Sequence, residues 1–101
     1  MRYTCFIRII SHKKILEFSA IHVNSEKPLN SWYKILSRQK FQSFAELRKV
    51  FPCADHVGNF TVFNIGGNKF RLIAAIHYNT QIVYIRHIFT HTEYDQNKWR
   101  N

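Results

Sequence analysis

Glycine, proline and cysteine are all scarce in this sequence, with 3, 2 and 2 residues among 101. So few chain breakers leave little room for linkers or low-complexity stretches, and no solenoid period is visible. The two cysteines, Cys5 and Cys53, lie far apart among apolar neighbours, which is not the spacing of a zinc site. They read as buried free thiols of a cytoplasmic protein, although a disulfide between them is compatible with the sequence. Long apolar runs are missing too. Arg8 interrupts the apolar N-terminal stretch and no small-residue cleavage site follows it, so neither a signal peptide nor a membrane span is expected. A hydrophobic content of 46% argues against disorder. The expectation is one domain, residues 1–101, with a single modest core.

Acidic residues are the most telling shortage. Six Asp and Glu stand against fifteen Lys and Arg, a net charge of +9. On so small a surface that imbalance makes a positive field, whose commonest partner is a polyphosphate. Binding to a membrane surface would need a long basic helix with one apolar side, and none is present.

The hydrophobic period is helical in the first half and strand-like in the second. Tyr3 to Ile10, rich in aromatic and β-branched residues, reads as a strand. Ile15, Leu16, Phe18 and Ile21 mark a helix from His12 to about His22. Asn24 and Ser25 can cap a second helix with Leu29, Trp32, Tyr33 and Leu36 as its apolar stripe and Pro28 in its first turn. Ser43 and Glu46 form a capping-box pattern opening a third, which Pro52 ends. Phe60–Ile65, Lys69–His77 and Gln81–Phe89 are strands separated by short breaks, hence antiparallel hairpins. Thr90 and Glu93 open a last helix from about His91 towards Trp99. The fold class is α+β, a small and mostly antiparallel sheet with helices packed on one face.

Strand parity then sorts the side chains. A two-residue turn at Asn79-Thr80 pairs Ile73 with Arg86 and puts Arg71, Ile73, Ala75 and His77 on a face with Ile82, Tyr84, Arg86 and Ile88. A turn at Gly66-Gly67 or Gly67-Asn68 adds Val62 and Asn64 to it. Phe63, Ile65, Phe70, Leu72, Val83, Ile85 and Phe89 fall on the opposite, helix-covered side, and His87 with them as a hydrogen-bonded structural residue. A three-residue loop would bury Arg86 without a partner, so that register is rejected. The open face thus offers Arg71, Arg86, Asn64, Lys69 and Tyr84, with no acid beside them. Such a face seats a phosphate and its flanking base; the plainer alternative is a solvated sheet face.

Three blocks of this region resemble the signature of the HigB toxin family: Phe63 to Ile73 with its Gly66-Gly67-Asn68 turn, Val83-Tyr84-Ile85-Arg86, and Thr90-His91-Thr92-Glu93-Tyr94-Asp95. Leu47 to Asp55 is similar too, and the likeness is faint over residues 1–40. The resemblance implies a RelE-like fold and an endoribonuclease acting on mRNA, commonly at the ribosome. It also implies a HigA-like helix-turn-helix antitoxin that binds the toxin and, separately, operator DNA. Arg71, Arg86, His91 and Tyr94 are the positions that match as catalytic residues; Asn64, Asn68, Lys69 and Tyr84 would hold RNA.

Metal-free RNA cleavage needs a base for the 2′-hydroxyl, positive charge for the phosphorane and an acid for the leaving 5′-oxygen. Arg71 and Arg86 suit the charge role, unless they only dock the RNA backbone or stabilise the fold. His91 and Tyr94, three apart on one helical turn, suit proton handling or base stacking. They suit equally a polar first-turn residue and a core aromatic. No cofactor and no metal are expected. A non-catalytic RNA-binding module is the rival function, and a DNA-binding regulator, lacking a recognition-helix pattern, ranks behind it.

Overall fold

The computed structural model describes residues 8–67 and 69–95, except the side chain of Asp95. In chain order the elements are β1 (Arg8–Ile10), α1 (His12–Ile21), a 3-10 turn (Val23–Ser25), α2 (Glu26–Ser37), α3 (Phe44–Val50), β2 (Asp55–Val57), β3 (Phe60–Ile65), β4 (Phe70–His77), β5 (Ile82–Thr90) and α4 (His91–Asp95). The described strands form one mixed sheet in the order β1-β5-β4-β3-β2, with β1 and β5 parallel and the other neighbouring pairs antiparallel. This is the expected α+β class. The sequence-expected first strand and last helix both extend into residues outside the described ones.

The helical stripes face the sheet as their periods require. Ile15 of α1, Leu29, Trp32 and Leu36 of α2 and Leu47 of α3 are buried against Phe63, Ile65, Phe70, Leu72, Val83 and Ile85. Burying each such aliphatic side chain contributes about 1.5–3 kcal/mol relative to leaving it exposed. Trp32 and Phe51 both meet the Phe63 ring edge-on, with centroids 5.2 Å apart in each pair. The helix ends also follow the sequence, with one exception. The Ser43 Oγ accepts from the Glu46 N–H at 3.3 Å, but the Ser25 hydroxyl does not cap α2. It donates instead to the His22 carbonyl at 2.6 Å, because the 3-10 turn brings that oxygen underneath it.

The hairpins depart from the expectation in detail. β2, around a tight Gly58-Asn59 turn, pairs with β3, so His56 lies in a strand. Gly66 and Gly67 both take positive φ in the β3–β4 turn, and a Cβ on Gly66 would stand 3.4 Å from Pro28. Between β4 and β5 the turn occupies residues 78–81 and its left-handed residue is Gln81 (φ 57°). The Gln81 side chain turns inwards, accepting from the Phe41 N–H at 3.0 Å and donating to the Tyr78 carbonyl at 2.7 Å and to the Phe41 carbonyl. The wider turn keeps the expected register at first, His77 opposite Ile82 and Ala74 opposite Ile85. Cys53 is an exposed free thiol rather than a buried one, carried outwards by the turn that Pro52 begins.

Candidate nucleic-acid interface

A β-bulge reshapes the second face of the sheet, which is open only in part: Val62 and Ile73 are 3% and 0% exposed, while Asn64 is exposed and Arg71 and Tyr84 are half-buried. Beyond Ala74 the β4–β5 ladder slips by one: Ile73 pairs with His87, Leu72 with Ile88 and Arg71 with Phe89. Arg86 is the extra residue, a device that bends a strand and re-aims its side chains. The expected Ile73–Arg86 pair is therefore corrected, and so are three faces. His87 and Phe89 join Arg71 on the open side, while Ile88 turns towards the core. The His87 and Phe89 rings confirm this by stacking on one another, centroids 5.2 Å apart and planes 12° from parallel. His87 is exposed, not a structural residue of the core face.

Arg71 is half-buried, opposite Phe89 and, across β3, opposite Asn64. Its guanidinium carbon lies 5.7 Å from the centre of the Tyr94 ring, and one of its nitrogens donates to the Phe70 carbonyl at 3.2 Å. Tyr94 is placed there by the reciprocal box that opens α4. The Thr90 N–H donates to Glu93 Oε1 at 2.9 Å and the Glu93 N–H to Thr90 Oγ1 at 3.2 Å. The His91 N–H donates to the Lys69 carbonyl at 3.0 Å, tying the same turn to the start of β4. Asn64, Lys69 and His91 are exposed and Tyr84 is half-buried, its ring meeting His77 edge-on at 5.4 Å. Asn68 lies outside the described residues. Thr90→Ala should destabilise this turn by about 1 kcal/mol and, through Tyr94, slow any chemistry at Arg71 while leaving α1–α3 intact. Amide exchange of residues 91–94 alongside activity would read both effects.

The structure brings Arg71 together with Tyr94 but not with Arg86. From Arg86 to the level of Arg71 is three residues of strand, roughly 10 Å at about 3.3 Å per residue. Arg86 instead looks towards α1. β1 ends at Ile10, Ser11 turns the chain away with φ 75°, and the edge of β5 beyond Tyr84 is left to Lys14 and its helix. Two adjoining hollows of about 300 Å³ each open there, and Lys14, Arg86 and His87 line both. Burial first, then the positive charges of Lys14 and Arg86, hold the His87 imidazole below its ordinary pKa.

Sequence reasoning missed His87 and Phe89. One signal pointed to them: a histidine on an otherwise apolar strand face is a conflict that a one-residue bulge removes. No carboxylate among the described residues makes an ion pair with Arg71 or Arg86; the pair that does form, Lys13 with Glu17 at 3.9 Å, is on the surface of α1. Nor do three His, Cys, Asp or Glu side chains gather among them to hold a metal ion. No helix of the described residues is long and apolar enough to cross a membrane.

Cations interleaved with aromatic rings along an open sheet face, on a strongly basic α+β frame, define a surface for a polyanion. Residues 25–97 match the model of a family described as HigB_toxin, RelE-like toxic component of a toxin–antitoxin system, and the chain belongs to that family. It is 30% identical over 93 residues to the mRNA interferase HigB of Escherichia coli O6:H1, covering 89% of this chain and 90% of that one. It is 28% identical over 92 residues to the mRNA interferase toxin HigB of Escherichia coli K-12, covering 88% of each.

Proposed function

We propose that this toxin is an endoribonuclease that cleaves mRNA engaged by the ribosome in the bacterial cytoplasm, halting translation until a HigA-like helix-turn-helix antitoxin covers it. The observation that carries the reading is the Tyr94–Arg71 pair, a ring and a guanidinium 5.7 Å apart with no ion-paired carboxylate among the described residues. A phosphate docks on the guanidinium through paired N–H bonds and the next base stacks beside it. The names of the relatives support the substrate, since both are mRNA interferases.

The reaction assigned here needs no metal ion. The 2′-oxygen attacks the neighbouring phosphorus, Arg71 stabilises the extra negative charge, and the 5′-oxygen leaves with a proton supplied from the His91–Tyr94 turn. Arg86 assists from a distance, holding the strand through a flanking phosphate. Asn64, Asn68, Lys69 and Tyr84 line the path of the message, and the antitoxin meets the same face. Operator DNA is bound through the antitoxin alone.

Induction of the chain in bacterial cells, with 5′ ends of transcripts mapped by primer extension, tests this. Growth arrest with new 5′ ends inside reading frames, both cancelled by co-expressing the neighbouring helix-turn-helix protein, is the expected result. Harmless expression with an unchanged transcript map would overturn it, and RNA binding without cutting would favour a non-catalytic binding module.

A further inference from the structure

We propose that His87 is the base that takes the 2′-hydroxyl proton; this rests on the nuclease reading above and assigns the step that it leaves without a residue. The bulge at Arg86 puts the imidazole on the open face, exposed to solvent and stacked on Phe89, whose strand partner is Arg71. Along β5 and into α4 the order is therefore His87, then Phe89 with Arg71 beside it, then Tyr94. A phosphorus held at Arg71 has an imidazole on one side and the His91–Tyr94 turn on the other. An in-line displacement needs the attacking oxygen deprotonated opposite the oxygen that leaves, and this order along the strand is compatible with it.

The step balances within these groups. An imidazole nitrogen of His87 accepts the proton of the 2′-hydroxyl as the O2′–P bond forms. The P–O5′ bond breaks, and the 5′-oxygen takes its proton from the His91–Tyr94 turn. The products are a 2′,3′-cyclic phosphate and a 5′-hydroxyl, after which His87 returns its proton to water.

The surroundings keep the imidazole ready to accept. Its neighbours in the two hollows are Lys14 and Glu17 on α1 and Tyr84 and Arg86 on β5. The other titratable groups of the face among the described residues are Asp55 on β2, Lys69 just before β4, Arg71 and His77 on β4, and His91, Glu93 and Tyr94 on α4. No carboxylate among these residues pairs with His87, while partial burial and the charges of Lys14 and Arg86 disfavour its protonated form. Lys14 and Arg86 also offer the RNA strand two cations on the side from which the 2′-hydroxyl approaches. His91 sits on the leaving-group side, at the first residue of α4.

The test is single-turnover cleavage of a synthetic message on purified ribosomes, at the site cut by the wild type. His87→Gln should cut about a hundred- to ten-thousandfold more slowly while its thermal unfolding and its binding to the programmed ribosome stay as in the wild type. The wild-type rate should climb with pH through deprotonation of the imidazole and then level. His87→Gln should lose that limb, and Lys14→Ala should move it to higher pH, because removing a neighbouring positive charge makes the imidazole easier to protonate. A message with sulfur in place of the scissile 5′-oxygen needs no leaving-group proton. On it Tyr94→Phe should recover and His87→Gln should stay slow. His87→Gln cutting within about threefold of the wild type, or recovering on the sulfur message, would overturn the assignment while the nuclease reading stands. A wild type that cuts no message would instead overturn the nuclease reading, and this assignment with it.

Discussion

Arg71→Ala should leave the toxin folded and slow mRNA cleavage by about a hundred- to a thousandfold. Losing one charged donor to a transition-state oxygen is worth about 2.7–4 kcal/mol. The structural contribution of the same side chain is smaller. Its contact with the Tyr94 ring, at a half-exposed site, is worth about 0.5–1 kcal/mol, and its bond to the Phe70 carbonyl about 1.5 kcal/mol, the low end for a charged donor that solvent reaches. The chemical effect therefore exceeds the stability effect, and the two separate in measurement. Urea denaturation should shift little, the antitoxin should still bind, and growth arrest should disappear. Arg71→Lys should recover only part of the rate, since an ammonium cannot present two parallel N–H groups to a phosphate. Undiminished cutting by folded Arg71→Ala would remove the residue from the site.

Phe63→Ala should have the largest effect on stability. Phe63 is 1% exposed and its ring is the meeting point of Trp32 from α2 and Phe51 from the end of α3. Truncating a buried phenylalanine costs about 3–5 kcal/mol, the transfer loss plus the cavity, out of a total of about 5–15 kcal/mol for a domain of this size. With a urea slope of about 1–3 kcal/mol per molar, the midpoint should fall by well over 1 M, or the protein should not fold at physiological temperature. Asn64 lies on the other side of the same strand, so cleavage should fail with unfolding and not before it. A midpoint unchanged within error would mean that the three rings do not bear on one another as described.

The helices and the sheet's inner face were legible because each rests on local rules. Ser43 with Glu46 and Thr90 with Glu93 are three-residue spacings that the backbone reads directly, and Leu29, Trp32 and Leu36 repeat at the helical period. The family blocks named Arg71 and Tyr94 separately, the first with Arg86 and the second with His91, and their contact with each other was not foreseen. What stayed hidden depends on partners remote in sequence. β2 is three residues long and polar, with nothing but β3 to make it a strand. The bulge is set by how β5 passes α1 and by the ladder with β4, not by any residue type at position 86. Parity counted through it turned His87, Ile88 and Phe89 to the wrong sides, and the arginines, expected together, point apart.

The parallel pairing of β1 with β5 has a further consequence, in the order of assembly. Arg8 meets Ile82 only after more than seventy intervening residues have been gathered in, whereas β3, β4 and β5 are joined by tight turns. Closing so long a loop is entropically unfavourable and is compensated only once the hairpins present a finished edge. β1 is therefore expected to dock late, bringing α1 and Lys14 behind it, and to detach early when the native state opens. The inner strands are a fixed floor; the α1 wall is a hinged one. Opening of that wall would displace Lys14 and leave Arg71 in place.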